Sequence, residues 1–224
     1  MSTLAVAVDG PAGAGKSSAS RALAGRLGFA YVDTGAMYRA VGVLARERHI
    51  AVDDDAGLAD LVATVRFHVE PSTGCVHVGA RDLSAVIRRP DAGELASLVS
   101  TRAVVRQRLV ALQRELGAGG RVVMEGRDIG TVVLPDAPVK FYLTAAPEER
   151  AKRRALELRA AGVAVDEAAL TLELTERDRR DMGRAHSPLR PAADALVVDT
   201  TAIGLEAVVD MMEGIARARL GPLG

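Results

Sequence analysis

Short apolar runs alternate along the chain with longer segments in which apolar residues recur every three or four positions. The runs at residues 4–8, 30–32, 121–125, 139–143 and 195–199 predict five short strands. Helical spacing predicts helices at residues 17–27, 37–48, 102–116, 147–160, 167–184 and 205–219. Strands that are buried on both faces and separated by helices are typical of a covered parallel sheet. We therefore predict an α/β fold with a five-stranded, doubly wound parallel sheet and flanking helices.

Residues 64–87 break this alternation. Polar and apolar positions alternate there in two stretches, on either side of a Pro-Ser-Thr-Gly sequence at residues 71–74. This pattern predicts an antiparallel hairpin. Because a hairpin does not belong in a helical crossover between parallel strands, we expect an inserted subdomain.

Composition limits the kind of protein this can be. The 224 residues carry 29 basic and 29 acidic side chains, so we expect neither a nucleic-acid-coating nor a membrane-surface protein. The single cysteine, Cys75, can form no internal disulfide. No stretch approaches the ~18 apolar residues that cross a bilayer, and no basic leader opens the chain. By elimination we expect a cytoplasmic protein.

Residues 10–17 match the phosphate-binding loop GxxxxGK[ST] in full. Glycines let successive backbone N–H groups converge on one anion, and the following helix turns its positive dipole end toward the same anion. In this pattern the lysine reaches the β- and γ-phosphates, and the serine hydroxyl ligates Mg²⁺. The loop predicts ATP as ligand and Mg²⁺ as cofactor, bound by Gly10, Pro11, Ala12, Gly13, Ala14, Gly15, Lys16, Ser17 and Ser18.

Three further motifs follow predicted strands or lie in predicted helices: DTGAMYR at residues 33–39, EGRDIGT at 125–131 and ERDRRDMGR at 176–184. With them, nearly the full chain closely resembles the bacterial cytidylate kinases, which transfer a phosphate from ATP to CMP or dCMP. The resemblance implies a P-loop kinase core at residues 1–32, 106–149 and 185–224. It also implies a monophosphate-binding subdomain at 33–105 and a lid at 150–184.

The resemblance assigns the acceptor site position by position. It places Thr34, Arg177 and Asp181 near the ribose and phosphate, and Arg39, Arg127 and Arg184 as a phosphate clamp; Tyr38 joins the same site. Planar guanidinium groups suit this task because they hold phosphate oxygens in fixed geometry. The implied catalytic set is Lys16, Arg39, Arg127, Asp181 and Arg184.

Ser97, Arg106 and Asp128 match the positions that contact the cytosine ring in that family. An ionised Asp128 only accepts hydrogen bonds, so it suits the 4-amino group of cytosine and opposes the 4-oxo group of uracil. Arg106 only donates, which suits O2 and N3. The alternative for Asp128 is a turn or helix-cap carboxylate, and the sequence around Ser97 does not decide its role.

Two other features stay open at the level of sequence. The basic cluster of Arg150, Lys152, Arg153 and Arg154 fits a mobile lid with Arg154 on ATP, but interleaved glutamates also fit a solvated helix face. A second ligand for the metal is not clear, and Glu125 and Asp199 are candidates because they end predicted strands.

The chief rival to the cytidylate reading is a P-loop kinase acting on UMP or AMP. A nucleotide-controlled binding switch is the alternative from another class. Such switches usually read guanine with an Asn-Lys-x-Asp string, and this chain contains no asparagine. The family likeness implies a monomer whose partners are the small molecules ATP and CMP or dCMP, with no nucleic acid and no membrane.

Overall fold

The computed structural model describes residues 4–69 and 76–222. The predicted turn at 71–74 and Cys75 lie outside the described residues. The strands are β1 (Ala5–Asp9), β2 (Ala30–Asp33), β3 (Phe67–Val69), β4 (Val76–Val78), β5 (Arg81–Asp82), β6 (Val122–Glu125), β7 (Val139–Thr144) and β8 (Leu196–Asp199). The helices are α1 (Lys16–Leu27), α2 (Thr34–Glu47), α3 (Asp55–Thr64), α4 (Ala92–Val99), α5 (Ala103–Ala118), α6 (Pro147–Ala160), α7 (Glu167–Met182) and α8 (Leu205–Leu220).

The predicted parallel sheet is confirmed, with strand order β2-β6-β1-β7-β8. Val8 of β1 and Asp33 of β2 both pair in register with Glu125 of β6. The carboxyl ends of these three strands therefore lie at one edge of the sheet. Ligands of open α/β sheets bind at this edge, where the chain connections diverge.

The inserted segment forms a three-stranded antiparallel sheet in the order β3-β4-β5. His68 pairs with His77, and β4 turns back into β5 after Val78. The prediction of a hairpin from residue 64 onward is corrected at its start, because Thr64 ends helix α3. Helices α3 and α4 carry no prediction from the sequence.

Three predicted helix limits were also wrong by two residues or more; one is the end of α5, which lies at Ala118 instead of Leu116. Helix α2 begins at Thr34, three residues before the predicted start, because the Asp33 carboxylate accepts the Ala36 N–H at 3.0 Å and caps the helix. Helix α7 ends at Met182 rather than Arg184. Two short helical segments complete the described fold, a 3₁₀ turn at Val86–Arg88 and a wider, π-helical turn at Ile129–Val133.

The apolar side chains form separate clusters. One lies between α1, α8 and the central sheet, and another joins α2, α3, α4 and α5 around Met37 and Leu58. A small cluster links α6 to α7 through Ala155 and Leu174. The division into core, monophosphate-binding subdomain and lid stays a prediction. Among the described residues, no helix combines the length and the apolar character needed to cross a membrane.

Candidate active site

A cavity of about 1080 Å³ opens at the carboxyl ends of the central strands. Its walls come from the phosphate loop, α2, α4, α5, the segment after β6, α6 and α7. All of the residues predicted for ATP, acceptor and metal binding line it, except Gly10, Pro11 and the metal candidate Asp199. The fold thus brings residues more than 160 positions apart into one concave site.

The phosphate loop takes a backbone path that only glycine follows without strain. Gly10 has φ +145°, and a Cβ there would lie 1.9 Å from the Leu143 carbonyl oxygen. Gly15 occupies the N-cap of α1 with φ +82°, so no side chain covers the first amides of the helix. The loop passes directly from β1 into α1, as anion-binding loops of this kind require.

Lys16 is buried at the start of α1. Its Nζ donates a hydrogen bond to the Pro11 carbonyl oxygen at 2.6 Å. The pKa of the Lys16 ammonium is lowered to about 7, mainly by burial and next by the charge of Arg127, against the opposing effect of Glu125. A bound polyphosphate would restore the charged form by supplying negative charge.

Glu125 is the carboxylate that meets the phosphate loop. The Ser17 hydroxyl donates to its Oε2 at 3.0 Å, and the Tyr31 hydroxyl donates to its Oε1. Burial and the neighbouring Asp33 raise the pKa of Glu125. Asp199, the other candidate for a second metal ligand, accepts a hydrogen bond from the amide of Thr201 at 2.9 Å and is absent from the cavity lining.

Asp33 and Arg39 lie side by side on the wall built by α2. Arg39 donates to the Asp33 carboxylate at 2.6 Å while the second carboxylate oxygen caps the helix. The Thr34 hydroxyl donates to the Glu125 carbonyl oxygen at 2.7 Å and is buried. These bonds tie the acceptor motif of α2 to the end of β6.

Asp181 is the centre of the arginine cluster. It is 1% exposed and accepts hydrogen bonds from Arg127 at 3.1 Å, from Arg184 and from the Ser97 hydroxyl at 3.4 Å. Burial acts to raise the pKa of Asp181, but Arg127 and Arg184 more than offset it and hold the pKa below its usual value.

Arg177 adds a further cation to this wall. Burial, followed by the charge of Arg127, lowers the pKa of Arg177 to about 10. Burial likewise lowers the pKa of Arg184. The Nε atoms of both are buried, with no hydrogen-bond partner among the described residues. Several guanidinium groups thus share one carboxylate and retain unused donors.

Arg106 and Asp128 form a buried ion pair at the far end of the cavity, with side-chain exposures of 5% and 6%. The Arg106 guanidinium lies 5.7 Å from the centre of the Tyr38 ring. Asp128 occupies the N-cap position of the π-helical turn, but its side chain accepts no capping bond. The pair therefore places one donor and one acceptor group side by side in the cavity wall.

The basic cluster of α6 separates into different environments. Arg153 and Arg154 line the cavity, where Arg154 pairs with Glu157 at 2.8 Å and Arg153 donates to Thr200. Arg150 instead lies below the phosphate loop and donates to the Ala12 carbonyl oxygen at 3.0 Å. Lys152 is exposed on the helix surface.

The family model "Cytidylate kinase" matches residues 6–218. The chain belongs to the cytidylate kinase family. It is 48% identical over 217 residues to the cytidylate kinase of Citrifermentans bemidjiense, covering 96% of this chain and 93% of that protein. It is also 48% identical to the cytidylate kinase of Pelotomaculum thermopropionicum, covering 96% of both chains.

The fold agrees with this family assignment. A gluconokinase from Sinorhizobium meliloti superposes with a TM-score of 0.50 at 17% identity, covering 97% of this chain and 94% of that one. At that identity the likeness concerns the fold alone. As a member of the cytidylate kinase family, the protein is an ATP-dependent nucleoside monophosphate kinase.

For this cytidylate kinase family member, sequence reasoning missed several residues that the site depends on. Asp33 lies within the quoted DTGAMYR motif, and its position just before a helix is a recognisable capping signal. Tyr31 carries no such signal, and Arg150 was named only as part of the basic cluster of α6, not as a support of the phosphate loop. Their contacts with Glu125 and with the phosphate loop join segments that are distant in the chain.

Proposed function

We propose that this cavity transfers the γ-phosphate of ATP to CMP or dCMP, giving ADP and CDP or dCDP, with Mg²⁺ as cofactor. One observation carries the proposal. The phosphate loop, the arginine cluster around Asp181 and the Arg106–Asp128 pair line a single cavity. A donor loop, an acceptor-phosphate clamp and a paired donor and acceptor for a cytosine edge are the three parts that this reaction needs.

The donor half of the reaction rests on residues 10–18. The amides of the loop and the Lys16 ammonium hold the β- and γ-phosphates, and Arg154 reaches the same nucleotide from α6. Lys16 lies between Glu125 and Arg127 in the electrostatic field of the site. The Lys16 ammonium can therefore stabilise the negative charge of the phosphoryl group during its transfer.

The acceptor half rests on the arginines. Arg39, Arg127 and Arg184 clamp the phosphate of CMP, while Thr34, Arg177 and Asp181 approach its ribose and phosphate. The unused buried Nε donors of Arg177 and Arg184 support this, since buried donors normally have partners. The acceptor phosphate is already an anionic nucleophile, so the reaction needs no general base. The rate acceleration comes from positioning the two substrates and neutralising the charge of their phosphates.

The residues around Ser17 fit Mg²⁺. Mg²⁺ prefers oxygen ligands and is usually held by one or two protein groups together with substrate phosphates. The Ser17 hydroxyl and the Glu125 carboxylate, 3.0 Å apart, would hold it. Among the described residues no group of three or more His, Cys, Asp or Glu side chains could bind a metal alone. When bound, the ion would supply positive charge that offsets the negative charge of the phosphates.

Cytosine selection rests on Arg106, Asp128 and Ser97. The Ser97 hydroxyl donates to Asp181 and accepts from Arg180 at 3.1 Å, so it lies beside the arginine cluster around Asp181. The rival activities are phosphorylation of UMP or AMP. A binding switch is disfavoured because the family is one of kinases. A cytoplasmic location, a monomeric state and the lack of nucleic-acid partners stay predictions.

The test is ADP production with ATP and Mg²⁺ in the presence of CMP, dCMP, UMP or AMP, each over a range of concentrations. We expect kcat/KM to be highest for CMP or dCMP. Activity on AMP with none on CMP would contradict the proposal. The matched control is Arg179→Lys on α7, whose exposed side chain pairs with Glu176 at 2.7 Å and lies outside the cavity lining. It leaves the three predicted clamp arginines in place and should change the order of the four acceptors little.

A further inference from the structure

Asp9, the last residue of β1, makes an unusual set of contacts. Its Oδ1 accepts the backbone N–H of Ile129 at 2.8 Å, and its Oδ2 accepts that of Gly130 at 2.8 Å. The side chain is 3% exposed. One carboxylate therefore binds both amides that open the π-helical turn, from a strand that is 120 residues away in the chain.

These two amides would ordinarily be satisfied locally. An aspartate at the N-cap position normally turns its carboxylate onto the first amides of its own helix. Asp128 holds that position but makes no capping bond, and its carboxylate pairs with Arg106 instead. Because Asp9 takes both amides, the carboxylate of Asp128 is not needed as a cap.

We propose that Asp9 is a positioning residue for acceptor recognition, which keeps the Asp128 carboxylate on Arg106 in the cavity by capping the π-helical turn in its place. The inference rests on the proposed function, because it assumes that Asp128 reads the acceptor base. Asp9 also precedes the phosphate loop directly. The same carboxylate thus fixes the distance between the donor loop and the segment that carries Arg127 and Asp128.

The surroundings of Asp9 support a specific role rather than general stabilisation. The pKa of Asp9 is raised to about 6, because burial and, to a smaller extent, the charge of Asp128 outweigh the lowering effect of its two amide bonds. An ionised carboxylate at this position is therefore costly to the fold. The absence of a side chain at Gly130 lets the turn lie close to Lys140 and Asp9, since a Cβ there would lie 3.1 Å from Lys140 Cδ and 3.4 Å from Asp9 Oδ2.

The most informative variant is Asp9→Asn. The amide side chain keeps one acceptor oxygen and turns a donor toward the other N–H, so one of the two capping bonds is lost. The freed amide then competes for Asp128. Hydrogen bonds to charged groups contribute enough that we expect the KM for CMP to rise about tenfold or more. The KM for ATP should change by less than about threefold on the same scale.

The control is Asp54→Ala. This change removes the carboxylate that caps α3, which accepts a hydrogen bond from the Gly57 N–H at 2.9 Å. Asp54 does not line the cavity. The Asp54→Ala variant should have a lower melting temperature and unchanged KM values for CMP and ATP. The decisive readout is the ratio of kcat/KM for CMP to that for UMP, which should fall in Asp9→Asn and stay constant in the control.

The outcomes separate the two proposals. If the wild-type protein does not prefer CMP, the proposed function fails, whatever Asp9 does. If the wild type prefers CMP but Asp9→Asn keeps both the KM for CMP and the CMP:UMP ratio, the positioning role is refuted. Equal losses for CMP and ATP would also refute it. Should Asp9→Asn not fold, Asp9→Ser, which leaves a single hydroxyl oxygen for the two amides, must give the same selective loss.

Discussion

At the scale of single residues, Arg106 and Asp128 form an ion pair through the same groups that would bind the edge of a cytosine ring. We predict that Asp128→Asn raises the KM for CMP by about tenfold or more, because a charge-assisted hydrogen bond to the 4-amino group is lost. The amide can also donate to the 4-oxo group of uracil. Steady-state kinetics with CMP and UMP should therefore show a reduced preference for CMP, with the KM for ATP unaltered.

The matched comparison for this variant is Asp136→Asn, an exposed carboxylate after the π-helical turn that lies outside the cavity lining. It should leave the kinetics with both pyrimidine nucleotides at wild-type values. A CMP preference that survives in Asp128→Asn would show that another group selects the base.

Asp9 also predicts a pH dependence of stability. Its folded-state pKa of about 6 lies above the ordinary value of about 3.9 in an unfolded chain. The folded state then binds more protons than the unfolded state between these values. The contribution of Asp9 to the free energy of unfolding is therefore largest below about pH 4 and is lost as the pH rises through about 6.

Urea unfolding of the wild type and Asp9→Asn from pH 4 to pH 7 measures this contribution. The wild-type minus variant difference in unfolding free energy should fall with rising pH by roughly 2 kcal/mol over the window. A difference that stays constant or increases would mean that Asp9 is not the titrating group.

At the scale of elements, the ion pair of Arg150 and Asp178 joins α6 to α7 below the phosphate loop. The two side chains are 2.6 Å apart and buried, and Arg150 also donates to the Ala12 carbonyl oxygen. We predict that Arg150→Met lowers the unfolding free energy by roughly 3–5 kcal/mol, because it leaves Asp178 buried without its partner. The loss of the bond to Ala12 should also raise the KM for ATP.

The double variant Arg150→Met/Asp178→Leu separates these effects. Replacing both members of a buried ion pair by apolar groups is often neutral, so stability measured by urea unfolding should largely return. The KM for ATP should remain high because the bond to Ala12 is still absent. Recovery of both quantities in the double variant would contradict a role for Arg150 in supporting the loop.

Elements differ in how well the sequence predicts them. The central strands are continuous apolar runs because both faces of the sheet are covered, and all five were located. Helix α4 was missed because its boundary depends on packing: a Cβ at Gly42 of α2 would lie 2.7 Å from Leu95 Cβ. The π-helical turn was missed because its cap, Asp9, comes from a distant strand.

At the scale of the whole molecule, the sequence motifs and the family resemblance named residues that line the cavity but not the contacts among them. Glycine spacing identifies the phosphate loop because the backbone itself requires it. The pairing of Asp181 with Arg127 and Arg184 follows from how α7 meets the segment after β6. No local sequence pattern predicts this packing, so the charge balance of the site can be determined only from the fold.

That charge balance leads to a prediction about ligand-induced stability. Burial lowers the pKa values of Arg177 and Arg184, and like-charge repulsion lowers them further, mainly from Arg127 on Arg177 and from Arg106 and Arg127 on Arg184. A phosphate bound there relieves the repulsion, whereas the base and ribose alone do not. CMP at about 100 times its Kd should stabilise the fold by about 2.7 kcal/mol, raising Tm by roughly 5–10 °C in a chain of this size.

Thermal unfolding with CMP, cytidine and inorganic phosphate distinguishes the contributions. Cytidine at the same concentration should shift Tm little, and phosphate at high concentration should produce part of the CMP shift. Arg177→Met should raise the Tm of the free protein, because one of the repelling cations is gone, and should reduce the shift that CMP produces. Equal shifts from cytidine and CMP would mean that the base and ribose dominate binding, and that the arginine wall does not hold the acceptor phosphate.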